Sequence, residues 1–194
     1  MSNPARLIYV VLAAGLSALV ISCEPKADLE NIQGFSVDGI SFSLPGNWSV
    51  TRDETTVQDG EIRHIYVESP GDALVILLEY TPGVDLTVDE FAAEYMRNVD
   101  EEAKDVFSIG PIQPIAASGG TRARIEDPIA GALSEGVEIS FGISVLGEVV
   151  PHKCRIFKHE TNHSDVFIIS QVAEEDWYLV SEGFRLIGKT LEVD

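Results

Sequence analysis

The chain has 194 residues, of which 45% are hydrophobic, and it carries 32 acidic against 13 basic side chains, for a formal net charge of −19. Such a balance argues against nucleic acid and anionic lipid headgroups as partners, because both require a basic footprint. The length fits one domain with a sizeable core, since a chain of roughly 150 residues buries about 68–70% of its unfolded surface.

Met1 to Arg6 contain one basic side chain and no acidic one, and residues 7–21 form an apolar run broken only by Gly15 and Ser17. This is the pattern of a secretory signal, and the run is short for a transmembrane helix, which needs about 20 apolar residues. Val20-Ile21-Ser22-Cys23 then resembles the lipobox of bacterial lipoproteins. The resemblance implies cleavage after Ser22, diacylglycerol on the Cys23 sulfur and acylation of the new amino group. An uncleaved N-terminal anchor with an incidental cysteine is the alternative. Each buried methylene contributes about 0.8 kcal/mol and one acyl chain binds only marginally, so two or three chains are what hold a protein in place. Glu24 stands where the resemblance associates aspartate with inner-membrane retention, which favours an outer-membrane anchor facing the periplasm. Loss of residues 1–22 removes Arg6 and no acid, leaving a net charge of −20. With Cys23 committed to lipid, Cys154 has no disulfide partner. The expected division is therefore a signal over 1–22, a lipid-anchored flexible tether over 23–34 and a folded domain over 35–194.

Within that domain Asp38-Gly39 signals a turn, and Ile40, Phe42 and Leu44 alternate with Ser41 and Ser43, which predicts a half-buried strand. Pro45-Gly46-Asn47 ends it, and Trp48 anchors the next extended piece. Asp59-Gly60 reads as a hairpin turn between arms over 55–57 and 62–67. Residues 73–78 are continuously apolar, as in a central strand covered on both faces. Thr87-Val88-Asp89-Glu90 is a capping box. After it, Val88, Phe91, Ala92, Tyr95, Met96 and Val99 keep helical spacing, predicting a helix to about 103.

The second half reads mostly as strand. Pro111 and Pro114 demote their segment to an edge or irregular strand, and Gly119-Gly120 turns the chain into 121–126. Val137, Ile139, Phe141, Ile143 and Val145 alternate with Glu138, Ser140, Gly142 and Ser144, giving the clearest strand in the chain. Residues 152–159 and 166–172 flank a polar turn and form another hairpin. Trp177, Val180 and Phe184 stand at helical spacing behind Glu174, Glu175 and Asp176, whose charges favour a helix N-terminus. A short strand over 186–193 is expected to follow.

Gly39-Ile40-Ser41-Phe42-Ser43-Leu44-Pro45-Gly46-Asn47-Trp48 resembles the opening of PsbP-like domains, a family that includes envelope lipoproteins of the DcrB kind. The resemblance extends over about 35–193 through the order of elements: strands, one amphipathic helix, an antiparallel meander and a C-terminal helix with aromatic anchors. It implies a single-domain α/β (α+β) sandwich, with a central, mostly antiparallel sheet flanked by helices. It also implies binding to other proteins instead of a reaction, no cofactor, and no catalytic residues to carry over. A plain β-barrel is disfavoured by the capped helix at Thr87, which falls mid-domain.

Site chemistry is sparse. His152, His159 and His163 with Glu160 and Asp165 supply enough ligands for a metal, or form a solvated hairpin tip. Lys153, Arg155 and Lys158 beside those histidines are the basic cluster of an acidic chain, suited to an anionic ligand or acidic partner, or else to guarding a sheet edge. Arg155 and Lys153 share one strand face, Cys154 and Ile156 the other. Cys154 thus reads as a small buried residue and not a nucleophile. Glu138, opposite an apolar face, is expected to meet solvent. Gly119-Gly120-Thr121 lacks the lysine and spacing of a phosphate loop, and the sequons at Asn47 and Asn162 carry little weight in a bacterial lipoprotein.

These observations converge on a non-enzymatic envelope lipoprotein that binds another envelope protein. The alternatives are a small-ligand or metal-binding receptor using the His152–His163 region and, less favoured, a hydrolase whose site the sequence does not reveal.

Overall fold

The computed structural model describes residues 26–57, 60–106, 113–115, 121–145 and 148–194. The signal over 1–22, Cys23, Glu24, Asp59, Pro111 and Gly119-Gly120 lie outside these residues.

Asp38 and Gly39 have φ of 43° and 81° and join β1 (Gln33–Val37) to β2 (Ile40–Leu44). Positive φ at both central positions gives the hairpin turn whose twist matches the flanking strands. Ile40, Phe42 and Leu44 are buried, as their alternation predicts. Strands β3 (Ser49–Val57), β4 (Glu61–Glu68) and β5 (Leu74–Thr81) follow as an antiparallel meander. Helix α1 (Val88–Val106) begins at the predicted capping box: the Thr87 amide donates to Glu90 Oε2 at 2.9 Å, and the Glu90 amide to Thr87 Oγ1 at 3.2 Å.

Strands β6 (Gln113–Ile115), β7 (Arg122–Ile129), β8 (Ala132–Val145), β9 (Glu148–Glu160) and β10 (Asp165–Ala173) complete a sheet of eight. Its order is β3-β4-β5-β10-β9-β8-β6, with β7 also paired to β8, and every pairing is antiparallel. β6 is short and lies at the edge, as its proline requires. A 3₁₀ turn at Glu174–Asp176 leads into α2 (Trp177–Thr190), and β11 (Glu192–Val193) returns to pair with β2 in a separate sheet, β1-β2-β11.

Strand alternation divides the core between the two faces of the large sheet. Ile65, Val67, Val75, Leu77, Phe157, Val166 and Ile168 pack with β2, Trp48 and the Val180, Phe184 and Ile187 stripe of α2. Ile76, Val137, Ile139, Phe141, Cys154, Ile156, Phe167 and Ile169 pack with Phe91, Ala92 and Met96 of α1. The result is the expected α+β sandwich, with the predicted order of strands, helix, meander and C-terminal helix.

Two expectations are corrected. The segment over 186–193 is not chiefly strand: α2 continues to Thr190, because Ile187 prolongs the buried stripe of Val180 and Phe184. Residues 26–34, expected to be flexible, are docked on the domain instead. Ala27 is buried, its amide donates to the Leu179 carbonyl at 3.0 Å, and residues 26–32 form a strap across the domain that leads into β1. The Pro45-Gly46-Asn47 turn holds that strap. Asn47 Oδ1 accepts the Asp28 amide at 2.9 Å, Asn47 Nδ2 donates to the Lys26 carbonyl at 3.2 Å, and the Gly46 amide donates to the Asp28 carbonyl at 2.9 Å. Gly46 is required because a Cβ there would strike the Asn31 carbonyl.

Candidate functional site

β9 carries all but His163 of the residues that the sequence groups as a basic, histidine-rich cluster, and strand alternation separates them. Lys153 and Arg155 project to the α2 side, whereas Cys154 and Ile156 project to the α1 side, as expected. Lys158 follows the parity of Cys154: its Nζ lies 2.8 Å from Glu160 Oε1 and 3.1 Å from Asp165 Oδ2. Burial works against the Lys158 charge, but the hydrogen bonds it donates to Glu160 and Asp165, with their negative charge, outweigh it and hold the pKa above its ordinary value. Asp165 Oδ2 also accepts the Val84 amide at 2.9 Å, so this pair pins the loop before α1.

His152 rests against Phe141, with ring centroids 5.7 Å apart, and its Nε2 lies 3.9 Å from Asp72. His159 is half-buried, and burial pushes its pKa below the usual value. His163 sits exposed in the β9–β10 turn, its amide donating to Thr161 Oγ1 at 3.2 Å. Among the described residues no three His, Cys, Asp or Glu side chains converge in metal-binding geometry. Cys154 is fully buried, which pushes its thiol up to about 12.

On the α2 side the charges assemble into a ladder of alternating sign. Lys153 Nζ lies 3.8 Å from Glu138, Arg155 Nε donates to Glu138 at 2.7 Å, and Arg155 Nη1 reaches Asp127 at 3.4 Å. Arg185 Nε then donates to Asp127 at 3.1 Å and its Nη1 approaches Glu182 at 3.7 Å. Glu138 therefore does not simply meet solvent, because β9 places Arg155 directly opposite it. The signal for this was the short connection after β8: once Val145 pairs with Glu148, Glu138 must face Arg155.

Trp177, at the first position of α2, covers the ladder. Its ring lies 4.3 Å from Arg155 Cζ and 5.2 Å from Lys153 Nζ, within cation–π range. The ring remains part-exposed and also packs on Phe184, 5.6 Å away. Beneath it lies a cavity of about 20 Å³ lined by Arg155, Phe157, Ile168, Ser170 and Phe184, among others. That volume holds one water and no organic ligand. Sequence reading grouped Lys153 and Arg155 but did not bring Trp177 and Arg185 of α2 or Asp127 of β7 to the same site.

Fold and site together define an α+β sandwich domain with a paired charge ladder capped by one tryptophan. No family model and no curated protein matches the chain. Among solved structures it is similar to cyanobacterial PsbP (CyanoP) from Synechocystis sp. PCC 6803, with 14% identity and a TM-score of 0.48 over 90% of this chain and 99% of that one. It is also similar to LpqN, involved in cell envelope biogenesis of Mycobacterium tuberculosis, with 14% identity and a TM-score of 0.36 over 87% of this chain and 98% of that one.

Proposed function

We propose that this chain is a non-enzymatic accessory lipoprotein of the bacterial envelope. It is held on the outer membrane, facing the periplasm, by lipid on Cys23, and it binds another envelope protein through the Trp177 surface. The lipobox-like Val20-Ile21-Ser22-Cys23 supports the anchor. The observation that carries the binding function is the rigid, part-exposed Trp177 seated on Arg155 and Lys153. Tryptophan and arginine dominate binding hot spots, because an immobilised ring contributes contact area with little further loss of entropy.

The rival receptor reading gains no support from the described residues. Lys153, Arg155 and Lys158 each have acidic partners, and among the described residues His152, His159 and His163 form no metal-binding group. The test is affinity capture from detergent-solubilised native envelopes, using the full chain and a Trp177→Ala variant. A protein retained by the full chain and lost with the variant is the expected result. Retention of nothing specific, or retention indifferent to Trp177, would overturn the adaptor reading.

A further inference from the structure

The strap over 26–32 crosses the domain beside α2 and leaves an open groove of about 380 Å³, lined by Leu29, Ile32, Pro128, Glu182, Arg185, Leu186 and Lys189. Large apolar side chains face outward here: Leu29 is 38% exposed and Ile32 51%. Tyr178, 75% exposed, is the neighbour of Leu179, whose carbonyl accepts the Ala27 amide. Lys26 and Lys189 are exposed and make no ion pair among the described residues. This face therefore combines apolar residues with two unpaired cations and the exposed acids Glu30 and Glu182, the latter 3.7 Å from Arg185. The Asp28 carboxylate accepts the Asn31 side-chain amide at 2.9 Å, the bond that chiefly lowers the Asp28 pKa.

We infer that this face lies on the phospholipid surface that carries the anchor, with Leu29, Ile32 and Tyr178 at the headgroup–acyl boundary. The inference rests on acylation of Cys23 and deepens that reading by fixing how the domain sits. Its basis is chain length. Three residue steps separate Cys23 from Lys26, and an extended chain spans at most about 3.6 Å per residue, so the lipid-bearing residue stays within about 11 Å of the docked strap. A tether extending to position 34 would let the domain rotate freely. A strap docked from Ala27 onward removes that freedom and keeps one face at the bilayer. Apolar and cationic side chains at that face provide the second interaction that strengthens a lipid anchor.

The test uses the full, acylated chain in phosphatidylethanolamine–phosphatidylglycerol vesicles. An environment-sensitive fluorophore is placed through Ile32→Cys, Tyr178→Cys or, as the control, Val57→Cys, with Cys154 sealed in the core. All three positions are exposed, so the labelled variants fold. Emission at 32 and 178 is expected to shift to the blue and be quenched by brominated lipid, whereas label 57 stays in water. Replacing Leu29 with Asp in the Ile32→Cys background should reverse the shift. If mass spectrometry finds Cys23 acylated and labels 32 and 57 behave alike, the orientation is wrong while the anchor stands. If Cys23 is found unmodified, the anchor fails and the orientation falls with it. A label at 32 that stays in water on vesicles but is shielded in native envelopes would assign the groove to a protein, overturning the inference.

Discussion

The Arg63 guanidinium holds the Asp53 carboxylate through two hydrogen bonds, each 2.8 Å long, from Nε and Nη2. The same group donates to the Asp38 and Val37 carbonyls at 3.0 and 3.2 Å, so one side chain ties the β1–β2 turn to the large sheet. The bond to Asp53 is also the main reason the Arg63 pKa is raised. Arg63→Met should destabilise the domain by about 3 kcal/mol, the lower end for breaking a buried pair. The lower end applies because the Asp53 side chain keeps 26% of its exposure and Arg63 only 9%. Urea unfolding monitored by Trp fluorescence measures the change, and adding Asp53→Asn should recover part of it. An unchanged midpoint for Arg63→Met would show that the two sheets do not depend on this link.

Gly183 sits in α2 where the helix crosses Trp48. A Cβ there would lie 2.8 Å from Trp48 Cζ2 and 2.9 Å from Pro45 Cγ. Alanine improves helix propensity by about 1 kcal/mol, but overpacking a tight contact costs about 1–3 kcal/mol. Both neighbours are rigid rings and Trp48 is fully buried, so the clash wins. Gly183→Ala should therefore lower Tm. A rise in Tm would mean that the helix can lift from Trp48 without loss.

Acid and alkali should weaken the domain through different residues on β9. His159 has a folded-state pKa below its usual value because of burial, so the unfolded chain binds more protons in that window. Its contribution is present above the ordinary value near 6.5 and is lost as pH falls through the folded pKa. Cys154 is the reverse: burial lifts it from 9.0 to about 12, so stability falls as pH rises across that interval. His159→Gln should flatten the acid limb of a stability–pH curve, and Cys154→Ala the alkaline limb. A thiol reagent at pH 8 should leave native Cys154 unmodified and label it after unfolding. Rapid labelling of the folded protein would contradict the sealed position.

Asn47 makes two hydrogen bonds to the strap. Asn47→Ala should lower stability by about 1–2 kcal/mol, the net of two such bonds. It should also speed proteolysis within residues 26–32 while leaving the rest of the domain resistant. Cleavage at the wild-type rate would show that Ala27 and Gly46 hold the strap alone.

Trp177→Ala should remove two cation–π contacts, worth about 0.5–1 kcal/mol each at a part-exposed site. Arg155 and Lys153 keep their acidic partners, so the charge ladder persists and the fold survives. Circular dichroism and a modest drop in denaturation midpoint check this. They also establish that any loss of partner capture by the variant reflects the surface and not misfolding.

The sequence by itself determined which residues face inward. Alternation over 40–44 and 137–145 marks buried strand faces, the run over 73–78 marks a strand covered on both sides, and Thr87 with Glu90 marks a helix start. These are local signals, because side-chain period and backbone donor satisfaction act within a few residues. Tertiary structure decided which charges meet. Glu138 meets Arg155 through the β8–β9 register, and Asp127 brings Arg185 from α2 into the same ladder. It also decided that residues 26–32 are a strap, which a polar composition conceals because its bonds run through backbone groups to Leu179 and Asn47. The C-terminal end of α2 shows the same principle. Its Gly188 and Lys189 carbonyls accept amides from Ala130 and Gly131 in the β7–β8 turn, at 2.8 and 3.1 Å. No capping residue in the helix could announce this, since the donors lie nearly sixty positions away in the chain and reach the helix end only when the sheet is assembled.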